Sequence, residues 1–85
     1  MANLGIFEIN TNGNYMNLST LTGITFVTGN SYLMQNYGGN CIVIESSVQP
    51  TEGGFVVDNK PFKYECDGSD VYIQTNGNIY LNISE

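Results

Sequence analysis

The chain has no histidine, no arginine and no tryptophan, and only two basic residues, Lys60 and Lys63, stand against eight acids. Each absence narrows what it can do. Without histidine, the usual acid–base group near neutral pH is missing, and a serine or cysteine nucleophile lacks its common activator. A net charge of −6 without arginine argues against holding a phosphate backbone, which needs cations along a groove, so no nucleic-acid partner is expected. Long apolar runs are also missing. The densest, Cys41-Ile42-Val43-Ile44, falls far short of the ~20 residues of a membrane helix, so no membrane insertion is expected. The start, Met1-Ala2-Asn3-Leu4, has neither a basic n-region nor an apolar h-region, so a soluble chain without a signal peptide is expected, cytoplasmic or built into a particle.

Cysteine is scarce as well. Cys41 and Cys66 without histidine cannot complete a tetrahedral zinc site unless carboxylates or a second chain contribute. They read as reduced, half-buried side chains near strand ends; a disulfide between them would require an oxidising compartment. No cofactor is expected. At 85 residues the chain has room for a single domain, spanning 1–85, and chains this small bury only ~60% of the surface their unfolded form exposes.

What is present is uncharged polarity: twelve asparagines, seven threonines and six serines, a mix that suits β-turns and disfavours long helices. Turn signals recur at Asn12-Gly13, Gly29-Asn30, Gly38-Gly39, Gly53-Gly54, Asp67-Gly68 and Asn76-Gly77. Between them lie runs rich in Ile, Val, Phe, Tyr and Thr. That spacing predicts strands near 4–11, 14–19, 22–28, 31–35, 41–48, 55–58, 62–66, 70–75 and 78–83. The expected fold is all-β: a small antiparallel barrel or roll of about eight short strands joined by tight hairpins.

Register sharpens the expectation, because a one-residue slip sends every side chain to the other face. With Asn12-Gly13 as a two-residue type I′ loop, Ile9 faces Met16 and Phe7 faces Leu18. The same loop at Asn76-Gly77 scatters the apolar residues. A three-residue loop, Thr75-Asn76-Gly77, with Gly77 left-handed in a G1 bulge, places Ile73 opposite Ile79 and Val71 opposite Leu81. It also pairs Gln74 with Asn78 and Tyr72 with Tyr80. Around Gly29-Asn30 a type II′ hairpin leaves both faces apolar, with Val27, Tyr32 and Met34 on one, so this pair is expected to be central or to meet another chain. Strand 62–66 alternates with Phe62, Tyr64 and Cys66 on one side and Lys63 and Glu65 on the other, a half-buried strand.

Few constellations carry chemistry. Glu65 with Asp67 or Asp70 could form a carboxylate pair, but aspartates flanking Gly68 are ordinary turn residues. Asp67 and Asp70 with Ser69 form a weak calcium candidate, lacking the alternating acids and the terminal bidentate glutamate of a strong one. Asn17-Leu18-Ser19 and Asn82-Ile83-Ser84 match the glycosylation sequon, as chance allows among so many asparagines. The tyrosines Tyr72 and Tyr80, ringed by Gln74 and Asn78, could bind a sugar face or anchor an interface. Together with Tyr32 and Met34 they form the candidate interaction or ligand surface, unless another strand or loop covers Tyr72 and Tyr80 and they belong to the core. The expectation is therefore a non-enzymatic structural or interaction protein that meets other protein chains, its own copies or different ones. It would be a small component of a larger assembly, a phage or viral particle being the leading case. The alternative is a carbohydrate- or small-ligand-binding module.

Overall fold

The computed structural model describes residues 3–57 and 60–85. Eight strands and one short helix follow in the order β1 (Asn3–Ile9), β2 (Met16–Asn17), α1 (Leu18–Thr22), β3 (Ser31–Asn36), β4 (Cys41–Ser46), β5 (Phe55–Val57), β6 (Phe62–Glu65), β7 (Asp70–Thr75) and β8 (Ile79–Ser84). They make two antiparallel four-stranded sheets, ordered β1-β8-β3-β6 and β2-β7-β4-β5. The all-β expectation holds. Barrel closure is not seen among the described residues. The end of the strand expected at 55–58, Asp58, lies outside them, as do Met1 and Ala2.

The expected hairpins are mostly replaced. Among the described strands, only β4 and β5 are sequence neighbours that pair within one sheet; the others alternate between the two sheets along the chain. β1 pairs with β8 from the opposite end of the chain, Phe7 facing Leu81 and Ile9 facing Ile79. β2 pairs with β7, Met16 facing Ile73. So Ile9 does not face Met16, nor Ile73 Ile79. Yet the apolar rows read from the sequence are real: Val71, Ile73, Ile79, Leu81 and Ile83 are all at most 1% exposed. They meet through the core between two sheets instead of along one ladder. A two-layer packing buries the apolar faces of both strands against each other, which a lone hairpin cannot do.

The turns at these crossings explain how. At the first, Asn12 and Gly13 take φ of 52° and 82°, and Asn14 N–H donates to Thr11 O at 3.1 Å, the backbone signs of the expected type I′ turn. The turn forms, but its flanking strands diverge into separate sheets. At the second crossing Gly77 is not left-handed, so the expected G1 bulge is absent. The two crossings lock together. Thr11 N–H donates to Thr75 Oγ1 (2.9 Å) and Thr75 N–H to Thr11 Oγ1 (2.8 Å), with both threonines buried. Thr75 O accepts from Gly13 N–H at 2.7 Å and from the Thr11 hydroxyl at 3.2 Å.

Residues 18–28 also depart from expectation. Asn17 Oδ1 accepts from Ser19 N–H at 2.9 Å and caps the one-turn helix α1, which ends at Gly23 with φ of 76°. Thus the Asn17-Leu18-Ser19 triplet serves as a helix cap, and no strand runs through 22–28. Gly29 sits third in a Val27–Asn30 turn, not first in a Gly29-Asn30 hairpin, and β3 pairs with β6 and β8. Phe26 packs edge-on to Tyr32 and Tyr64, centroids 4.9 and 5.5 Å away. The buried phenols are satisfied locally: Val27 N–H donates to Tyr32 Oη, and Tyr64 Oη donates to Ser69 O. The alternation of β6 is as expected, with Tyr64 and Cys66 buried and Lys63 and Glu65 exposed. Both cysteines are buried thiols with no disulfide between them, Cys41 Sγ donating to Val57 O at 3.8 Å, and burial pushes the Cys41 thiol up to about 11. Among the described residues no helix is long and apolar enough to cross a membrane.

Candidate functional site

The sequence-selected tyrosines do not form one surface. Tyr72 and Tyr80 lie in different sheets, Tyr72 opposite Asn17 and Ile44 and Tyr80 opposite Glu8. Tyr72 is buried, as are Tyr32 and Met34, each 1% exposed, so none of these three belongs to an accessible surface. Their sheet neighbours come from strands other than those of the expected hairpins: Asn17 and Ile44 flank Tyr72, Tyr64 pairs with Tyr32, and Phe62 and Ile83 flank Met34. Gln74 remains half-buried on the outer side of the β2-β7-β4-β5 sheet, where its amide donates to Gly13 O at 3.0 Å. Tyr80 and Asn78 are exposed on the other sheet.

Around Tyr80 the register of the β1-β8-β3-β6 sheet assembles something the sequence did not disclose. Glu8 on β1 lies directly opposite Tyr80 on β8. On the other flank, Tyr37 N–H donates to Tyr80 O at 2.8 Å, so Tyr37 continues β3 beside it. Glu8, Tyr80 and Tyr37 thus make one row across three strands, about 10 Å long from two strand spacings. Tyr80 is 45% exposed and Tyr37 59%. The next row carries Ile6, Asn82 and Gln35. The Tyr80 hydroxyl donates to Glu8 Oε2 at 3.2 Å, and Asn78 Nδ2 donates to the same oxygen at 3.3 Å. Asn10 Nδ2 in turn donates to Asn78 Oδ1 at 2.9 Å. The hydroxyl bond ties the Tyr80 ring to the carboxylate directly across the ladder. On the β3 flank the ring lies against Gly38, where a Cβ would make ordinary contact with Tyr80 Cδ2 at 3.4 Å. The bond and the charge of Glu8 raise the Tyr80 phenol above its ordinary value.

A second feature is the β4–β5 hairpin. Its loop folds back on the sheet: Tyr15 Oη donates to Gly53 O and Gln49 Nε2 to Tyr15 O. Gly53 and Gly54 take φ of 90° and 113°, as expected for left-handed glycines, and a Cβ on Gly54 would come within 2.6 Å of Ile42 Cγ2. The loop can lie on Ile42 and Ile44 only because Gly54 has no side chain. Beyond it, Phe55 and Val56 on the edge strand β5 are 72% and 69% exposed, with Val48 at 68%. A depression of about 200 Å³ beside Val56 is lined by Ile42, Cys41, Gln74 and the amides Asn40 and Asn76.

The carboxylate candidates separate too. Glu65 pairs with Lys63 at 3.2 Å on the exposed face of β6. Asp67 Oδ1 accepts from Ser69 N–H at 2.9 Å, the turn role expected of it, and this bond holds its carboxyl below the usual range. Asp70 begins β7. Glu45, Glu65 and Asp67 line a groove of about 690 Å³, where burial first and the charges of Asp67 and Glu65 second raise the Glu45 carboxyl. Among the described residues no three histidine, cysteine, aspartate or glutamate side chains converge on a metal position. Glu8 and Tyr37 are the residues the sequence reading passed over; the one signal for them was an acid and an exposed-parity tyrosine at the ends of strands whose pairing was unknown. No family model, curated protein or solved structure matches the chain.

Proposed function

We propose that this chain is a non-enzymatic interaction protein, a small part of a larger assembly, and that it engages another protein chain through the β5 edge. One observation carries the reading: Phe55 and Val56, adjacent and about seven-tenths exposed, sit on a strand that ends its sheet. Successive strand residues point to opposite faces, so both faces of this edge are apolar at once. Soluble domains usually blunt such edges with charge, proline or a covering loop. Here Gly53-Gly54-Phe55-Val56-Val57 carries no charge at all. An edge of this kind takes an added strand, whose backbone supplies affinity while side-chain pockets supply selectivity. The depression beside Val56, with Ile42 at its base and Gln74 and Asn76 at its rim, suits an apolar side chain flanked by amides.

The test is native mass and partner capture from the source material, comparing the parent with Val56→Lys. A charge on an edge strand blocks strand addition and, on an exposed side chain, changes stability by no more than about 0.5 kcal/mol. The expected result is a complex with the parent and none with the variant. A parent that stays strictly monomeric at high micromolar concentration and retains no partner would sink the reading.

A further inference from the structure

We infer that the Glu8–Tyr80–Tyr37 row is a binding site for neutral pyranose sugars, separate from the β5 edge. The argument starts from what a sugar ring offers: an apolar face of C–H groups and a rim of hydroxyls that both donate and accept. The row supplies a complement to each. Tyr80 is exposed with its hydroxyl tied to Glu8, and Tyr37 adds a second exposed ring one strand away. Two aromatic side chains already on a rigid sheet lose little conformational freedom on binding. Around them stand acceptors and donors that are themselves oriented: Glu8 held by Asn78 and the Tyr80 hydroxyl, Asn78 held by Asn10, and Gln35 Oε1 accepting from the Tyr37 hydroxyl at 3.4 Å.

Charge selects the class of sugar. Glu8 is the ionisable carboxylate in the row, no arginine or histidine exists in the chain, and the net charge is −6. A carboxylated or sulfated glycan would be repelled, while a neutral hydroxyl can donate to the Glu8 carboxylate in a charge-assisted bond. The row, about 10 Å across two strand spacings, has length for adjacent rings of an oligosaccharide. Stacking fixes no single sugar, so the site reads a class of ligand.

The experiment screens the intact protein against neutral and anionic oligosaccharides, then titrates the best neutral one by NMR into the parent, Tyr80→Ala, Tyr80→Phe and Val56→Lys. Perturbed resonances should map to Glu8, Tyr37, Asn78 and Tyr80. Tyr80→Ala should weaken binding about tenfold, the worth of one aromatic contact. Tyr80→Phe, which keeps the ring but removes the hydroxyl that holds Glu8, should bind with an affinity between those of the parent and Tyr80→Ala, guarding against a loss that merely reports misfolding. Val56→Lys should bind as the parent does, because it touches only the β5 edge, so this site and that edge can fail separately. Absence of binding to every neutral glycan, equal or better binding of anionic ones, or undiminished affinity in a folded Tyr80→Ala would each overturn the assignment.

Discussion

The tetrapeptide Thr-Asn-Gly-Asn occurs at 11–14 and again at 75–78, and the two copies fold differently while touching each other. The first closes as a hydrogen-bonded turn with Asn12 and Gly13 both left-handed. The second stays open, and Gly77 is not left-handed. The reason lies in one carbonyl. Thr11 O is available to Asn14 N–H, but Thr75 O is taken by Gly13 N–H and the Thr11 hydroxyl. A turn that closed at 75–78 would compete for that acceptor. Identical local chemistry therefore yields two conformations once a shared hydrogen bond goes to one copy. The threonines themselves remain nearly symmetric, each hydroxyl oxygen accepting the other's backbone N–H.

The comparison breaks most readily at the threonines. Thr11→Val removes both the acceptor for Thr75 N–H and a donor to Thr75 O in a buried site, so it should destabilise the protein by about 2–3 kcal/mol, and Thr75→Val somewhat less. Thr→Ser at either position should recover most of the loss, because it keeps the hydroxyl. Denaturant unfolding decides this; valine variants as stable as the parent would mean that the reciprocal bonds do not hold the corner. The glycines sharpen the difference between the copies. Gly13→Ala forces a Cβ onto a residue at φ of 82° and should cost about 1–2 kcal/mol. Gly77→Ala meets nothing within 4 Å and carries no left-handed penalty, so it should stay within about 0.5 kcal/mol of the parent. Equal costs at both would refute the claimed asymmetry.

The smallest effect concerns the strand leaving the second copy. The Tyr80 phenol titrates above its ordinary 10.0 through its bond to Glu8 and the charge there. Since the folded value is the raised one, what this bond contributes is fully present below pH 10.0 and is lost as pH rises through the folded titration. Following the Tyr80 ring by NMR should show its midpoint falling in Glu8→Gln, where the carboxylate charge is gone. An unmoved midpoint would show that Glu8 does not hold the ring.

How far the sequence reached can be traced residue by residue. The apolar parity of 71–83 and of 62–66 identified core positions correctly, because a side chain's face along a strand depends only on its own period of two. The Asn12-Gly13 turn was legible because Asn-Gly favours left-handed φ wherever it stands. The helix at Leu18–Thr22 was announced only by Asn17 and Gly23 as caps, a signal overshadowed by the threonine- and isoleucine-rich run around it. The partners of Tyr72 and Tyr80 were out of reach. Their neighbours, Ile44 and Glu8, come from strands 28 and 72 positions away in the chain (72 − 44 and 80 − 8).

By itself, then, the sequence determined an all-β chain with these turns and these buried faces, since local φ preferences and two-residue periodicity need no knowledge of the rest of the fold. Only the tertiary structure decided which strands meet. Pairing β1 with β8 and β2 with β7 lets both apolar faces close on one core, a gain that no single hairpin can capture. That same choice buried Tyr72, exposed Tyr80 beside Glu8 and Tyr37, and left the uncharged β5 strand exposed at the edge of its sheet.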